Sequence, residues 1–479
     1  MLRFSYSNDA SNRHAGRREW LRIGGLAGIS WAFPGLIPAR AADVSLPQQM
    51  PGFGRAKSVI IVFASGGQSQ LDTWDPKPEA PSEIRGEFRS IGTSVPGVRF
   101  CEHMPQIAKV ADRLCIVRNM AHEDLDHGSA LYLAMTGRYH RRRSGNPLPS
   151  PEDMPCFGSI LHRVRPAVQF AQTAVHLNGP AEVPFLIAPG QNGGMLGKSC
   201  DPLVLGDVTK GTNAVPTLIP HSDVPEVRMR SRQSLLTAVE GMMSKDIPAG
   251  LVQDKQALYS QAFDLLSRDN TRRAFDLSEE PDQLRDRYGR NRSGQACLLA
   301  RRLVEAGVPL VTVIWSHSNR GQDVEPQNTD LYGWDTHNDI FDGLKNHLLP
   351  RFDQGYSALI EDLDARGMLE DTLVVCMGEF GRAPLVALEP RFAGLTPGRK
   401  HWSSVYSIAL AGAGIAPGTV VGESDSRGAY PRSEPWGPWD VMATVFSSLG
   451  IDPGLEYRDP VNRPFRICEG RVITPAYAT

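Results

Sequence analysis

The run of residues 371–377 is short and almost entirely apolar, and it constrains the fold more than any other part of the chain. A run of this length without polar alternation is typical of a strand buried on both faces of a parallel sheet. Three further runs of the same kind lie at 57–64, 308–315 and 405–412. The sequence therefore predicts an α/β fold around a mostly parallel central sheet.

Polar residues flanked by glycines and aromatic residues follow these runs. Asp72 comes after the first run, Asp335 and His337 come after the run at 308–315, and Glu379 directly follows the run at 371–377. Ligands bind at the carboxyl ends of strands in open α/β sheets. Asp, Glu and His ligate metals or act as acids and bases. His401 precedes the last run, so we expect its loop to fold back across the sheet edge to reach Asp335.

Apolar residues at spacings of three and four predict helices at 130–136, 296–306, 340–366 and 440–449. The first of these helices follows a stretch of potential ligands and nucleophiles that includes His122, His127 and Ser129. A helix N-terminus favours an anion or an activated hydroxyl. The alternative is that some of these residues only cap the helix, and Asp126 is the expected N-cap.

The N-terminal segment reads as a targeting signal. Arg17 and Arg18 precede a glycine-containing apolar run at 23–37, and small residues follow at 39–41. This pattern resembles a twin-arginine signal, so we assign residues 1–42 to it. The pattern predicts export by the twin-arginine machinery to the periplasm or cell envelope, with no stable membrane span unless the signal is retained.

The composition argues against a nucleic-acid-binding protein. The 479 residues carry a formal net charge of -2, which gives no basic excess for binding nucleic acid.

We predict that residues 43–479 form one domain with a helical insertion around 225–290. The seven cysteines have no C-x-x-C spacing, which argues against a zinc ribbon. Cys376, inside a predicted strand, is expected to be a small core residue.

Five motifs in order resemble the bacterial DUF1501 family, over about residues 57–453. They are Gly-Gly-Gln-Ser-Gln-Leu-Asp-Thr-Trp-Asp-Pro-Lys-Pro at 66–78, the segment at 287–308, Gly-Trp-Asp-Thr-His at 333–337, Met-Gly-Glu-Phe-Gly-Arg at 377–382 and Gly-Arg-Lys-His-Trp at 398–402. The resemblance places the chain among alkaline phosphatase-like and sulfatase-like folds. It implies a three-layer α/β/α sandwich that holds one or two divalent cations above a mostly parallel sheet.

The resemblance also implies metal ligands. Asp72 matches the first-strand metal aspartate of that superfamily, and His401 resembles its late metal histidine. Asp335 and His337 look like its Asp/His pair, although one residue separates them rather than three. Glu379 stands where the superfamily has Asp-His, and Phe380 takes the place of that histidine.

The same resemblance bears on the nucleophile. The segment that ends in Leu-Ala-Met-Thr-Gly-Arg-Tyr at 133–139 is similar to a sulfatase segment. Counting back along it places His127, rather than Cys or Ser, at the nucleophile position, which excludes formylglycine chemistry. Ser129 is a nearby candidate, and Arg382 is a candidate for holding an anion through its planar fork.

Three hypotheses follow from these residues. The first is a metal-dependent hydrolase of phosphate or sulfate esters, with Zn, Mg, Mn or Ca as the cation. The second is an inactive, metal-stabilised protein that binds anionic, sulfated envelope polysaccharides. The third is a scaffold in which the polar clusters are only loop hydrogen bonds.

Overall fold

The computed structural model describes residues 50–170, 172–183, 186–210, 234–235, 273–316, 330 and 332–478. An eight-stranded sheet forms the centre of this part of the chain. Its strands are β1 Ser58–Phe63, β4 Cys115–Met120, β5 Ala174–Leu177, β6 Leu203–Leu205, β7 Leu310–Ile314, β8 Thr372–Met377, β11 Tyr406–Ala411 and β12 Thr419–Val421. Each predicted apolar run corresponds to one of these strands.

The order across the sheet is β12-β4-β11-β8-β1-β7-β5-β6. β11 pairs antiparallel with both of its neighbours, β4 and β8, and the other pairings are parallel. Two short strands, β9 Gly381–Arg382 and β10 His401–Trp402, pair antiparallel between β8 and β11. The chain therefore turns back on itself from β8 to β11, as in a long hairpin, and this reversal gives β11 its direction.

The strands are buried on both faces, so the sheet has two hydrophobic cores. In β1, Ile60 and Val62 point into one core, whereas Val59, Ile61 and Phe63 point into the other. All five side chains are at most 2% exposed. Successive side chains of a strand alternate between faces, so a continuous apolar run is needed to fill both cores.

Helices cover both cores, which makes the three layers of an α/β/α sandwich. The first core packs against α2 Pro105–Lys109, α5 Asp282–Tyr288, α6 Arg292–Glu305, α7 Ile340–Gly343 and α8 Leu349–Ala365. The second packs against α3 His127–Thr136, α4 Phe157–Val164 and α9 Pro438–Ser448. The predicted fold class, an α/β sandwich with a mostly parallel central sheet, is confirmed.

Smaller elements complete the described chain. They are the helix α1 Ser82–Arg85, a π-helical turn at Leu344–Leu348 that joins α7 to α8, and the antiparallel pairs β2 Ser90–Gly92 with β3 Arg99–Cys101 and β13 Glu456–Arg458 with β14 Pro464–Arg466. The predicted helical segment 340–366 thus consists of two α-helices with the π turn between them.

Two predictions fall on other parts of the chain. The signal at residues 1–42 lies outside the described residues, as does most of the insertion around 225–290, of which the described part contains α5. Cys376 is 1% exposed in the first core, as predicted. Among the described residues, no helix combines the length and apolar character needed to cross a bilayer.

A buried histidine in β5 gives the fold a predicted dependence on pH. Burial lowers the pKa of His176 to about 4, against about 6.5 in an unfolded chain. Between these values the unfolded chain binds a proton that the folded chain does not, so the free energy of unfolding falls as the pH falls through this window. At about 1.4 kcal/mol per pKa unit, the loss reaches roughly 3 kcal/mol.

The variant His176→Asn removes this titrating group. We expect its free energy of unfolding, measured with denaturant at several values between about pH 7 and pH 4, to fall less steeply than that of the wild type. The difference at about pH 7 gives the cost of the substitution itself. An unchanged slope in a folded variant would contradict the prediction.

Candidate metal centre

The candidate residues meet at the carboxyl edge of the parallel strands. His127 is the first residue of α3, which follows β4, and Glu379 directly follows β8. Asp335 and His337 lie in the segment after β7, where the Trp334 backbone N–H donates to the carbonyl of Ser65, two residues after β1, at 3.1 Å. These elements bring four segments that are distant in sequence to one point.

His401 reaches this point by a simpler route than expected. The sequence suggested a loop folding back across the sheet edge, but β11 is antiparallel and therefore begins at the edge where β8 ends. His401, in β10 just before β11, pairs directly with Arg382 of β9. The expectation was wrong because an apolar run does not reveal the direction of its strand.

Three histidine nitrogens surround one carboxylate oxygen. Asp335 Oδ1 lies 3.2 Å from Nε2 of His127, 3.2 Å from Nε2 of His337 and 3.3 Å from Nε2 of His401. The Nε2 atoms of His337 and His401 are 2.9 Å apart. One ligand atom each from His127, Asp335 and His401 lies within 4.8 Å of the others. His127, Asp335, His337 and His401 are called the histidine cluster below.

Glu379 lies behind His127 rather than beside the other ligands. Its Oε1 is 2.6 Å from His127 Nδ1 and also accepts the Gly66 backbone N–H at 2.8 Å. His127 Nδ1 therefore carries the proton that Glu379 accepts, and Nε2 is turned toward Asp335. A carboxylate behind a ligating histidine is a common arrangement in metal sites because it fixes the ring and raises its basicity.

His401 is oriented in the same way by the backbone. Its Nδ1 lies 2.7 Å from the carbonyl oxygen of Leu125, so Nδ1 donates and Nε2 faces Asp335. His337 stacks on Phe392 with ring centroids 3.7 Å apart. The cluster therefore presents three ordered imidazoles, and the His401 side chain, which is 19% exposed, is its most accessible member.

The charges of the histidine cluster are uneven. Burial lowers the pKa of His127, but Asp335 and Glu379 outweigh this effect and raise it to about 9. Burial and the positive charge of His127 lower the pKa of His401 to about 3. Burial would raise the pKa of Asp335, but His127 and Arg382 hold it well below its usual range. His127 thus carries the proton that a cation would replace.

The donor set fits a divalent cation. A tetrahedral ion with bonds of about 2.0–2.1 Å separates neighbouring ligand atoms by about 3.3 Å, close to the spacing from Asp335 Oδ1 to the three Nε2 atoms. His127 Nε2 is buried, and among the described residues it makes no well-aligned hydrogen bond, although Asp335 Oδ1 lies 3.2 Å away. The Nε2 atoms of His337 and His401 are 2.9 Å apart, a distance at which a proton or a cation must lie between them. Imidazole nitrogen with carboxylate oxygen is a typical zinc donor set.

Arg382 is fully buried and its guanidinium is engaged within the protein. It donates to Asp335 Oδ1 at 2.7 Å, to the Gly67 carbonyl at 3.0 Å, to the Arg399 carbonyl at 3.3 Å and to the Gly66 carbonyl. The planar fork predicted to hold an anion is thus directed at the chain itself. In this structure Arg382 positions Asp335 and the loop after β1.

Asp72 lies apart from the histidine cluster. Its Oδ2 accepts from Arg399 Nε at 2.7 Å and from the Ser69 hydroxyl at 2.5 Å, and its Oδ1 accepts from Arg399 Nη2 at 3.1 Å. Asp72 and Arg399 are each 1% exposed. The structure therefore places Asp72 in a buried bidentate ion pair, an arrangement that satisfies both oxygens without a metal.

Ser129 is also kept away from the cluster. Its hydroxyl is fully buried and donates to Asp124 Oδ1 at 2.7 Å. Asp126 occupies the N-cap position of α3, as predicted, but its side chain makes no capping bond. Asp124 instead accepts from the Asp126 N–H at 3.2 Å, so it organises the entry to the helix. His122 donates to the Glu379 carbonyl at 2.6 Å and steadies that strand end.

Sequence reasoning missed three contributors: Leu125, Phe392 and Arg399. Gly66 has a φ of +115°, and a side chain there would overlap the backbone of Trp334 and Asp335. The Gly-Gly pair after a buried strand was a readable signal for such a close approach. The Leu125 carbonyl and the Phe392 ring carry no local signal, since their roles depend on distant partners.

The family model described as "Protein of unknown function (DUF1501)" matches residues 56–476. The chain belongs to the DUF1501 family. A comparison of this DUF1501 protein with curated protein sequences gives no match.

Solved structures show only distant likeness to this DUF1501 chain. A Vibrio parahaemolyticus protein described as a member of the alkaline phosphatase superfamily is 10% identical with a TM-score of 0.41, covering 84% of this chain and 68% of its own. The phosphonate monoester hydrolase SpPMH of Silicibacter pomeroyi is 13% identical with a TM-score of 0.39, covering 87% and 75%. The alkaline phosphatase of the Antarctic bacterium TAB5 is 12% identical with a TM-score of 0.37, covering 84% and 99%.

The place of Glu379 behind His127 gives a testable prediction. Glu379→Gln keeps the size of the side chain but removes its charge, so His127 is held less firmly and is less basic. Loss of such a partner typically costs about 10–100-fold in metal affinity. Titration with Zn²⁺ against a competing chelator measures this loss. Glu389→Gln, which removes a carboxylate paired with Lys400, is the matched control and should bind as the wild type does. Equal affinity in both variants would contradict the assignment.

The ion pair of Asp72 with Arg399 gives a second prediction. Asp72→Ala leaves the buried Arg399 guanidinium without its carboxylate, which typically costs about 3–5 kcal/mol in the free energy of unfolding. We expect the folded fraction to bind the same amount of metal as the wild type, because Asp72 lies outside the histidine cluster. Asp72→Asn, which retains the shape, provides a folded form for the metal measurement. Loss of metal from folded Asp72→Asn would instead support the sequence-based assignment of Asp72 as a ligand.

Proposed function

We propose that this protein binds a divalent cation at His127, Asp335 and His401, with His337 beside them, and hydrolyses phosphate or sulfate esters there. The observation that carries the proposal is the convergence of three Nε2 atoms on one buried carboxylate oxygen. Ordered imidazoles backed by Glu379 and by the Leu125 carbonyl support a ligand set rather than ordinary loop hydrogen bonds. The identity of the cation is left to experiment among Zn, Mg, Mn and Ca.

A bound divalent cation would supply positive charge that polarises an ester oxygen and stabilises charge that develops in the transition state. The chain's own residues would prepare the site. Arg382 fixes Asp335, Glu379 and Leu125 fix the tautomers of His127 and His401, and the partly exposed edge of His401 gives the side from which an ester approaches.

The attacking group in this proposal is water. Ser129, the nearest candidate hydroxyl from the sequence, is buried and donates to Asp124. His127, at the position that the family resemblance assigns to the nucleophile, has its Nδ1 bound to Glu379 and its Nε2 among the proposed ligands. Its role in the proposal is therefore that of a ligand.

One observation favours a second function, which is binding without turnover. The guanidinium of Arg382 is occupied by Asp335 and by backbone carbonyls, so the anion-holding group predicted from the sequence is directed at the chain itself. In this alternative the cation stabilises a protein that binds sulfated or phosphorylated envelope polysaccharides. Either function fits the proposed export by the twin-arginine machinery to the periplasm or cell envelope.

The hydrolase proposal predicts cleavage of aryl phosphate or aryl sulfate esters by the metal-loaded protein. His401→Ala and Asp335→Asn remove proposed ligands, so we expect each to lower kcat/KM by at least about 100-fold, which corresponds to roughly 3 kcal/mol. Ser129→Ala should change kcat/KM by only a few-fold, because its hydroxyl lies outside the cluster.

As a control, circular dichroism and the melting temperature of each variant are compared with those of the wild type to show that the variant is folded. Activity that disappears in folded Ser129→Ala would assign the attack to that serine instead of to water. Metal bound to the wild type, with saturable binding of a sulfated polysaccharide and no product from any ester, would establish the second function. Hydrolysis that survives in metal-free protein would contradict both.

A further inference from the structure

A cleft of about 1100 Å³ lies at the other end of α3 from the histidine cluster. Its walls come from Tyr132 on α3, the segment 137–141 after that helix, residues 151–154, Trp439 at the start of α9 and residues 459–465 around the turn of the β13–β14 pair. A helix rises about 1.5 Å per residue, so Gly137 lies roughly 15 Å along the axis from His127. The cleft is therefore separate from the candidate metal centre.

Four of the residues that line the cleft are tyrosine, tryptophan or phenylalanine. Tyr139 and Trp439 lie side by side with ring centroids 5.8 Å apart, and both are half-buried. Phe465, which is half-buried, contributes a third ring, whereas Tyr132 is 3% exposed. The Arg143 guanidinium lies over one face of Tyr139 at 3.8 Å from the ring centroid, and Phe465 stacks on Tyr457, so each of these rings has one face left for a ligand. The electron-rich face of an aromatic ring attracts the weakly positive C–H groups of a sugar ring.

The charged residues of the cleft are paired with one another. Arg138 binds Glu469 at 2.5 Å, Arg141 binds Glu152 at 2.8 Å, and Arg463 binds Asp459 at 2.7 Å. The fourth acidic residue, Asp153, lies 3.4 Å from His140. Three arginines thus face four carboxylates, so the wall has no positive excess with which to attract an anion. It offers many hydrogen-bond donors and acceptors instead.

Some of these polar groups are fixed before any ligand binds. Asp153 is 2% exposed and accepts the Ser150 N–H at 2.8 Å, and Asp459 is 3% exposed and accepts the Arg463 N–H at 2.7 Å. The Tyr132 hydroxyl accepts the Met154 N–H at 2.8 Å, and no acceptor for its own proton is found among the described residues. Burial raises the pKa of Tyr132 to about 12, so that proton is retained at neutral pH. The hydroxyl is available to donate to a ligand.

We propose that this cleft binds a neutral oligosaccharide. The aromatic rings match the apolar faces of sugar rings, and paired charges match a ligand that both donates and accepts hydrogen bonds. The volume is slightly above the usual range of ligand pockets, which leaves room for several sugar units. The site does not depend on metal. It provides a second point of attachment for a glycan chain, whatever chemistry takes place at the histidine cluster.

The test is calorimetric titration of the folded protein with neutral hexasaccharides of glucose and of N-acetylglucosamine, and with a sulfated hexasaccharide for comparison. At least one neutral hexasaccharide should bind, and its affinity should change little between low and high salt because no ionic contact is involved. Trp439→Ala should weaken binding by at least about tenfold. Tyr132→Phe, which removes only the hydroxyl, should weaken it several-fold.

Two control variants distinguish loss of this cleft from damage elsewhere in the protein. Trp436→Ala removes a tryptophan three positions away that stacks on Arg471 and does not line the cleft. It should bind as the wild type does. His401→Ala should also bind normally, even if it abolishes metal binding and ester hydrolysis. Failure of every neutral hexasaccharide to bind, unchanged affinity in folded Trp439→Ala, or salt-sensitive binding of the sulfated sugar alone would each overturn the proposal.

Discussion

The buried guanidinium of Arg382 holds the candidate metal centre together. It contacts the loop after β1 through the Gly66 and Gly67 carbonyls, the segment after β7 through Asp335, and the segment before β10 through the Arg399 carbonyl. A fully buried charge is tolerated only when it is paired and hydrogen-bonded. Because those partners come from three separate segments, satisfying Arg382 fixes the position of the carboxylate around which the histidines gather.

The same residue is fully engaged within the protein and is not free to hold an anion. Its positive charge is neutralised by Asp335, while the second carboxylate, Glu379, is directed at His127 and Gly66. Asp335 and Glu379 therefore hold His127 in its charged form, and the Nε2 atoms of His337 and His401 lie 2.9 Å apart. Asp335 and Glu379 raise the pKa of His127 to about 9, so this imidazole carries the positive charge of the cluster.

Strands and helices were predictable because the signals are local. An apolar run such as 371–377 needs only its own residues to indicate a buried strand, and the spacing of 340–366 indicates helix in the same way. The edge at which the site forms also followed from the order of strands and polar clusters. The direction of β11 did not, because the reversal depends on the pairing of β9 with β10. The resulting short route of His401 to the site was therefore missed.

The roles of individual polar residues were harder to predict, since an acidic residue near a strand end has several possible partners. Asp72 and Glu379 have the same chemistry and similar positions in the sequence pattern. One is paired with Arg399, which sequence reasoning had not singled out, and the other supports a histidine. Ser129 likewise stands near the cluster in sequence, yet its hydroxyl bonds to Asp124. Distinguishing these roles requires knowledge of which distant side chains meet.

The most direct test of the metal centre is X-ray absorption at the metal edge, measured on the folded wild-type protein and on His401→Ala. We predict a stoichiometric divalent metal in the wild type with a first shell of nitrogen and oxygen and the outer-shell scattering of several imidazole rings. In His401→Ala the metal should be lost, or its imidazole scattering should fall. A wild-type protein that takes up no metal, or a spectrum that is identical in the variant, would contradict the assignment of the histidine cluster as a metal site.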